Sequence, residues 1–372
     1  MKSIAVICAH SFLWNPGMHS VDYAFRSILR RMPRTVTATF FYARSTELES
    51  QPPSAENVEL LCSPSQLQDF DVIIYWGDFL QWLAYGQQDW QMTAGPANAE
   101  APKIDNWFEL MLLEGADKSL KQKTILFGGS IYGLNARQLK DLRYRNALSD
   151  LLQNARLVMM RDQVSAHFVS QVAARPAPSL GCDCALLLDR EALGIPPRRP
   201  ENLPEKYLAA SFGRSGANRL LQALAMELAS RLNLKVVMMD WFGSEPDSAG
   251  LAHRLDIINH AEFVLTDIYH LSVNAWREGT PALCAGRGAS YPVGTLAEKK
   301  KEIFYQQIGA IDYYLFIEDL QIAIGSDKAM AKYSNRLIEL LDESDSLDMV
   351  FEILSNQVSY ARAKLIEAIE AA

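Results

Sequence analysis

The sequence is short of cysteine, and shorter still of the spacings that give cysteine a chemistry. Its five thiols, Cys8, Cys62, Cys182, Cys184 and Cys284, are odd in number and scattered over 372 residues. The Cys182-Asp183-Cys184 step lacks the gap of a zinc knuckle or a redox pair, so the thiols read as reduced, in a reducing compartment. Positive charge is also in deficit. Lys and Arg number 36 against 44 Asp and Glu, a formal charge of −8 and a pI near 5.4. A binder of nucleic acid or of an acidic membrane surface would carry the opposite footprint. The one basic run, "EKKKE" at Glu298–Glu302, is flanked by its own acids and reads as a solvated helix face. Long apolar runs are missing: none approaches the roughly 20 residues that cross a bilayer, so no integral membrane segment is expected. The apolar start "MKSIAVICAHSF" has one basic residue and no small-x-small cleavage site, and it reads as a first buried strand rather than a signal peptide. A cytoplasmic location is expected, and a peripheral position on the inner face of the membrane is compatible with it. Also absent are a Walker A sequence and a G-x-G-x-x-G turn after the first strand, the usual marks of phosphate-binding loops. His253 and His260, seven apart, have no zinc-pair spacing, and no metal site is expected.

What is present is a rhythm. Short apolar runs alternate with amphipathic segments: "SIAVIC", "TATFFYA", "DVIIYW", "KTILFGG" and "RLVMMRD" in the first half, then "YLAASFG", "LKVVMMDW", "EFVLTD", "PALCAG" and "YYLFIED" in the second. Near-continuous apolar strands separated by helical patterns predict parallel sheets covered on both faces. Between the halves lies "GIPPRRPENLPEK", in which four prolines among charges can continue neither element. The division expected is an N-terminal α/β domain over 1–193, a proline-rich linker over 194–206, a C-terminal α/β domain over 207–342, and a C-terminal helix over 343–372 packing back on the body. The fold class expected is α/β, with two doubly wound, Rossmann-like domains facing a central cleft in the GT-B manner. Ligands of open α/β sheets bind outside the carboxyl ends of the strands. One stretch stands out on that ground. "VLTDIYHLSVNAWREGTPALCAG", Val264–Gly286, reads as strand, helix, strand, with His270 where the first strand hands over to the helix. A histidine titrates near neutrality, and a helix start favours anions. Read by itself, the same residue fits a satisfied core or cap histidine.

Several motifs in order resemble the polysaccharide pyruvyl transferase family over most of the chain. "HSFLWNPGMHSVDYAF" is an imperfect counterpart of its N-x-G-D turn, with Asn15, Gly17 and Asp22. "IIYWGDFLQW" keeps Gly77 of a glycine-rich turn, and "LFGGSIYGL" is similar to a G-x-S-x-G strand end, with Gly129, Ser130 and Gly133. "ARLVMMRDQVSAHFV" looks like the strand ending in Arg-Asp/Glu-x-x-Ser and supplies Arg161, Asp162 and Ser165; Asp183 follows in "GCDCALLL". "HAEFVLTDIYHLSVNAWREGTP" resembles V-x-T-x-R-x-H…A…G-x-P, with Ile268 where the family carries an arginine.

The resemblance implies transfer of a pyruvyl group from phosphoenolpyruvate to two hydroxyls of a sugar, giving a cyclic ketal of a cell-surface polysaccharide or its precursor. The N-terminal domain would take the acceptor and the C-terminal domain the donor. His270 would be the general acid and Asp267 a base for the acceptor, although a strand-end aspartate also fits a helix cap. Donor contacts would come from Arg161, Arg214, Arg287 and Ser130, because guanidinium groups bind carboxylate and phosphate in bidentate fashion. Arg161-Asp162 fits equally an ion pair at a helix start with Asp162 as N-cap. Asn15, Gly77, Asp78 and Trp82 would face the acceptor, a glycan or a lipid- or nucleotide-linked sugar. Trp82 belongs to an aromatic cluster (Trp76, Phe79, Trp82, Tyr85, Trp90) that also suits core packing. Isoleucine cannot bind an anion, so either another arginine fills the place of residue 268, with Arg214, Arg277 and Arg287 as candidates and Arg214 the most attractive, or the donor has changed. Phosphoenolpyruvate is the donor substrate and no cofactor is implied; a homo-oligomer is compatible. Two other readings fit parts of the chain: a GT-B nucleotide-sugar glycosyltransferase, since "NAWREGTPALCAG" resembles its helix-Gly-x-Pro-strand segment, and a non-catalytic glycan-binding descendant, suggested by Ile268.

Overall fold

The computed structural model describes residues 2–8, 16–33, 35–42, 57–87, 104–174, 176, 178–242, 248–288 and 295–372. The chain forms two compact units: one of Met1–Leu13, Met18–Leu193 and Gln357–Ala372, the other of Trp14–Gly17 and Gly194–Asn356.

The first unit is built on six parallel strands: β1 (Lys2–Cys8), β2 (Val36–Tyr42), β3 (Val58–Leu60), β4 (Val72–Trp76), β5 (Thr124–Phe127) and β6 (Leu157–Met159), in the order β3-β2-β1-β4-β5-β6. Strands β4 and β5 are buried at every residue, as a sheet covered on both faces requires. The helices include α1 (Pro16–Arg31), α2 (Ile104–Met111), α3 (Lys118–Gln122), α4 (Leu142–Asn154) and α5 (Gln163–Ala173). Asp141 caps α4 through the Tyr144 N–H, and Asp162 caps α5 through the Ser165 N–H. Chain direction across the sheet reverses between β1 and β4, so the ligand crevice of this architecture lies at their carboxyl ends. Strand β3 escapes the sequence pattern because three residues carry no periodicity.

The second unit holds β7 (Tyr207–Ser211), β8 (Lys235–Met238), β9 (Phe263–Thr266), β10 (Ala282–Gly286) and β11 (Tyr314–Phe316), all parallel, in the order β11-β10-β9-β7-β8. Its helices include α6 (Asn218–Arg231), α7 (Ser248–Asn259), α8 (Tyr269–Arg277), α9 (Thr295–Gln307), α10 (Ile317–Ile324) and α11 (Asp327–Asp342). On α6 the leucine stripe buries Leu221, Leu224 and Leu228 completely. Here the switch point falls between β7 and β9. The segment 195–206 contains neither helix nor strand, as four prolines dictate.

The chain ends in α12 (Ser344–Glu370), 27 residues long. Its first part belongs to the second unit, where Phe351 packs 5.5 Å from Trp276, and from Gln357 onward it belongs to the first. There Gln357 Nε2 donates to Gly181 O (2.6 Å), Tyr360 to Ser179 Oγ (3.0 Å), and Lys2 Nζ to Ile369 O (2.9 Å). No helix among the described residues is long and apolar enough to cross a membrane.

Candidate functional site

In the second unit three strand-end loops meet around the switch point. Strand β9 ends at Thr266, whose hydroxyl donates to Ser211 O (2.7 Å) and accepts the Ile268 N–H (3.0 Å). That tie sets Ile268 in extended backbone as the N-cap of α8. Ile268 is buried, so the family's arginine position holds an interior apolar side chain. His270 is the second residue of α8 and half-buried. Its ring lies 5.1 Å from that of Tyr269, and its carbonyl accepts from Asn274 Nδ2 (2.7 Å).

Asp267 is completely buried. Its Oδ1 accepts from the Gly213 N–H (2.9 Å), and its Oδ2 from the Arg214 N–H (2.9 Å), the Ser215 N–H (2.7 Å) and Ser215 Oγ (2.7 Å). The sequence suggests a base here; the structure instead commits both oxygens to folding the loop after β7. That loop starts at Gly213 (φ 154°) and turns into α6 at Gly216 (φ 73°), both in the region glycine tolerates. It carries Arg214 outward, with its guanidinium 4.4 Å over the Phe242 ring.

Arg287 follows β10 directly, and its Nε donates to Ser215 O (3.2 Å) in the loop after β7. Because β9 lies between β10 and β7, this side chain spans the carboxyl end of β9, where the missing arginine would start. Arg277 does not reach it. It closes the last turn of α8, roughly 10 Å along the axis from His270 at about 1.5 Å per residue, and pairs with Glu278 at 2.5 Å.

In the first unit the expected contacts are mostly engaged with the protein itself. Ser130, expected to face the donor, is buried; its hydroxyl lies 2.7 Å from Asp162 Oδ2 and 3.1 Å from Ser165 Oγ. Ser165 Oγ accepts the Ile131 N–H (2.8 Å), so the group locks the loop after β5 to the start of α5. Arg161 is buried too, with Nη1 3.4 Å from Asp183 Oδ2 and the guanidinium 4.9 Å from the Phe79 ring. Its ion pair is therefore with Asp183, while Asp162 serves as N-cap. Trp82 packs against Phe79 and Tyr132 in the interior, and Trp76 and Tyr85 are buried. Gly77 (φ 74°) and Asp78 (φ 53°) form the turn after β4, at the switch point. A left-handed aspartate costs on the order of 1–3 kcal/mol and such strain clusters at functional sites. Asn15, His10 and Trp90 lie outside the described residues.

Among the other histidines, His19 is buried edge-on to Tyr23, His167 is exposed on α5, and His260 Nδ1 lies 2.9 Å from Asp256 O. Among the described residues no three His, Cys, Asp or Glu side chains cluster in a way that could hold a metal ion. The "EKKKE" segment departs from its reading as a solvated face: Glu298 and Lys301 are buried, and Lys300 Nζ stands 4.9 Å over the Tyr269 ring beside His270. Charge alone hides this, because a basic run flanked by acids looks the same whether or not one of its members turns inward.

Comparison with known proteins bears on both sheets. The model of the family described as polysaccharide pyruvyl transferase matches residues 19–287. No curated protein gives a significant match. Similar solved structures include a putative UDP-N-acetylglucosamine 2-epimerase from Listeria monocytogenes (TM-score 0.54, 13% identity, covering 100% of this chain and 96% of that one). S. aureus MnaA with UDP is similar at a TM-score of 0.53, with 11% identity over 100% and 96% of the two chains. A ugt transferase from Siraitia grosvenorii in complex with UDP gives 0.51, with 10% identity over 99% and 100%. These likenesses establish a GT-B-like fold of two parallel sheets with interleaved helices.

Proposed function

Because the chain belongs to the polysaccharide pyruvyl transferase family, we propose that it moves the pyruvyl carbons of phosphoenolpyruvate onto two hydroxyls of a sugar, releasing inorganic phosphate and leaving a pyruvate ketal on a polysaccharide or its precursor. The observation that carries this reading is the placement of one titratable group and two arginines on the strand-end loops around the switch point of the second sheet: His270 after β9, Arg214 after β7, and Arg287 reaching across from β10.

The reaction needs a proton on the methylene carbon of the donor, cations for its phosphate and carboxylate, and acceptance of a proton from each attacking hydroxyl. His270 gives the first proton, and the neutral imidazole it becomes can accept the proton of the first hydroxyl as that oxygen bonds to C2. Phosphate then leaves with its C–O electron pair, and as the second hydroxyl oxygen bonds to C2 its proton passes to the departing phosphate, so the ketal forms with no redox change. Arg287 takes the part of the arginine absent at residue 268, and Arg214 supplies the second positive charge. Asp267 positions the loop that carries Arg214. In the first unit Ser130, Asp162, Arg161 and Asp183 shape the strand ends, and Asp78 with Gly77 is the candidate acceptor contact.

The test is ligand selection followed by one substitution. Phosphoenolpyruvate should raise the melting temperature while UDP-sugars do not, and phosphate should appear only with a diol-bearing glycan. His270→Asn should cut turnover by about 10²–10⁴-fold with an unchanged melting temperature. Selective stabilisation by a nucleotide sugar would move the chain to the glycosyltransferase reading, and wild-type turnover in the His270→Asn variant would remove the histidine from the chemistry.

A further inference from the structure

We infer that Glu298 and Lys301 are positioning residues that set Arg287 for anion binding, an inference that rests on the donor reading above. Both sit on α9 and both are buried, at 8% and 2% exposure. They pair with each other, Lys301 Nζ lying 3.0 Å from Oε1 and 2.9 Å from Oε2 of Glu298. A buried ion pair seldom repays its own desolvation, and apolar replacements are often neutral or stabilising. Its retention is explained better by what else the two groups hold.

What they hold is the end of β10. Lys301 Nζ donates to Ala285 O (3.2 Å), and Glu298 Oε2 accepts the Arg287 N–H (3.1 Å). The pair therefore straddles Gly286. At that glycine a Cβ would fall 1.9 Å from the Tyr314 hydroxyl and 2.6 Å from Glu298 Oε2, so only glycine lets the carboxylate come this close. From the first turn of α10, Glu318 Oε2 accepts the next N–H, that of Gly288 (3.1 Å). Three backbone groups between Ala285 and Gly288 are pinned by side chains of two helices. The residue in their midst is Arg287, whose side chain reaches Ser215 O over the end of β9. A long, rotamer-rich side chain gains most as a ligand contact when its backbone is fixed beforehand, because less freedom is lost on binding.

The experiment is a double-mutant cycle on the full chain, with phosphoenolpyruvate as the probe. Glu298→Gln should weaken its binding about tenfold, which is about 1.4 kcal/mol, and should raise its KM while leaving the acceptor KM unchanged. In an Arg287→Ala background the same substitution should have no further effect on binding. Hydrogen exchange provides a second readout that needs no ligand: Glu298→Gln should speed exchange of the Arg287 amide more than that of amides elsewhere in the unit. If Glu298→Gln does not fold, the Glu298→Gln/Lys301→Gln pair, which leaves no lone buried charge, takes its place in both measurements. Effects that add to those of Arg287→Ala, or unchanged exchange at Arg287, would overturn the inference. A wild-type protein that binds no phosphoenolpyruvate would remove the donor reading alone, with the exchange measurement still deciding whether Glu298 holds Arg287.

Discussion

Asp267→Asn is nearly isosteric, so it separates charge and acceptor capacity from packing. In the native protein four donors point at this carboxylate, three of them backbone N–H groups, and no solvent reaches it. The best placement of an asparagine puts its carbonyl oxygen where Oδ2 sits, keeping the bonds to Arg214 and Ser215, and turns its NH₂ toward the Gly213 N–H. One part-buried donor, the Gly213 N–H, then loses its acceptor, at about 1 kcal/mol, and three bonds pass from a charged to a neutral acceptor, at roughly 1 kcal/mol each. Relief of the buried charge offsets part of this, leaving a net loss of about 3 kcal/mol. For a unit of this size each kcal/mol lowers the melting temperature by about 2–4 °C, so a fall of roughly 6–12 °C is expected by calorimetry or circular dichroism. Turnover per folded molecule, measured well below the transition, should drop mainly through a weaker hold on phosphoenolpyruvate as the Arg214 loop loosens. An Asp267→Asn variant with the wild-type melting temperature and no turnover would refute this reasoning and return Asp267 to the role of base.

Gly286→Ala should destabilise by about 1–3 kcal/mol through overpacking. The nearest obstacle is the Tyr314 hydroxyl, a buried group that makes no hydrogen bond, so Tyr314→Phe alone should be neutral or stabilising and should recover part of the Gly286→Ala loss in a melting experiment. Asp162→Ala removes the cap of α5 and the acceptor for two buried serine hydroxyls, and a loss of about 2–4 kcal/mol is expected in urea unfolding; an unchanged midpoint would show that the Ser130–Ser165 pair suffices. Maleimide at neutral pH should label one thiol quickly, Cys62, and five only after denaturation. Burial raises the thiols of Cys182 and Cys184 and pushes that of Cys284 up to about 12, which leaves negligible thiolate at pH 7, and a second fast label would contradict it.

Much of the architecture is a local property of the chain and was legible in it. Apolar runs such as "DVIIYW" and "EFVLTD" are buried strands because nothing polar interrupts them, and amphipathic stretches between them are helices because their stripes recur at helical spacing. The same local logic tells which residues follow a strand, and so it picks out His270, Asp267, Arg214 and Arg287 at strand ends. It also shows Ile268 where an arginine is expected. What local pattern cannot carry is strand order and the inward turn of single side chains. Arg287 lies 19 residues beyond Ile268 in the sequence, and only the arrangement of β9 between β10 and β7 lays it over the same place. Ser130, Arg161 and Asp267 have the residue types of ligand contacts, and only the folded chain shows the protein groups each one meets, Asp162, Asp183 and the loop after β7. Lys301 looks like any lysine in "EKKKE" until α9 packs on β10 and the ammonium meets Glu298 and the Ala285 carbonyl. Those facts are non-local: they depend on which surfaces exclude water once distant segments have come together, and the order of residues alone holds no record of that.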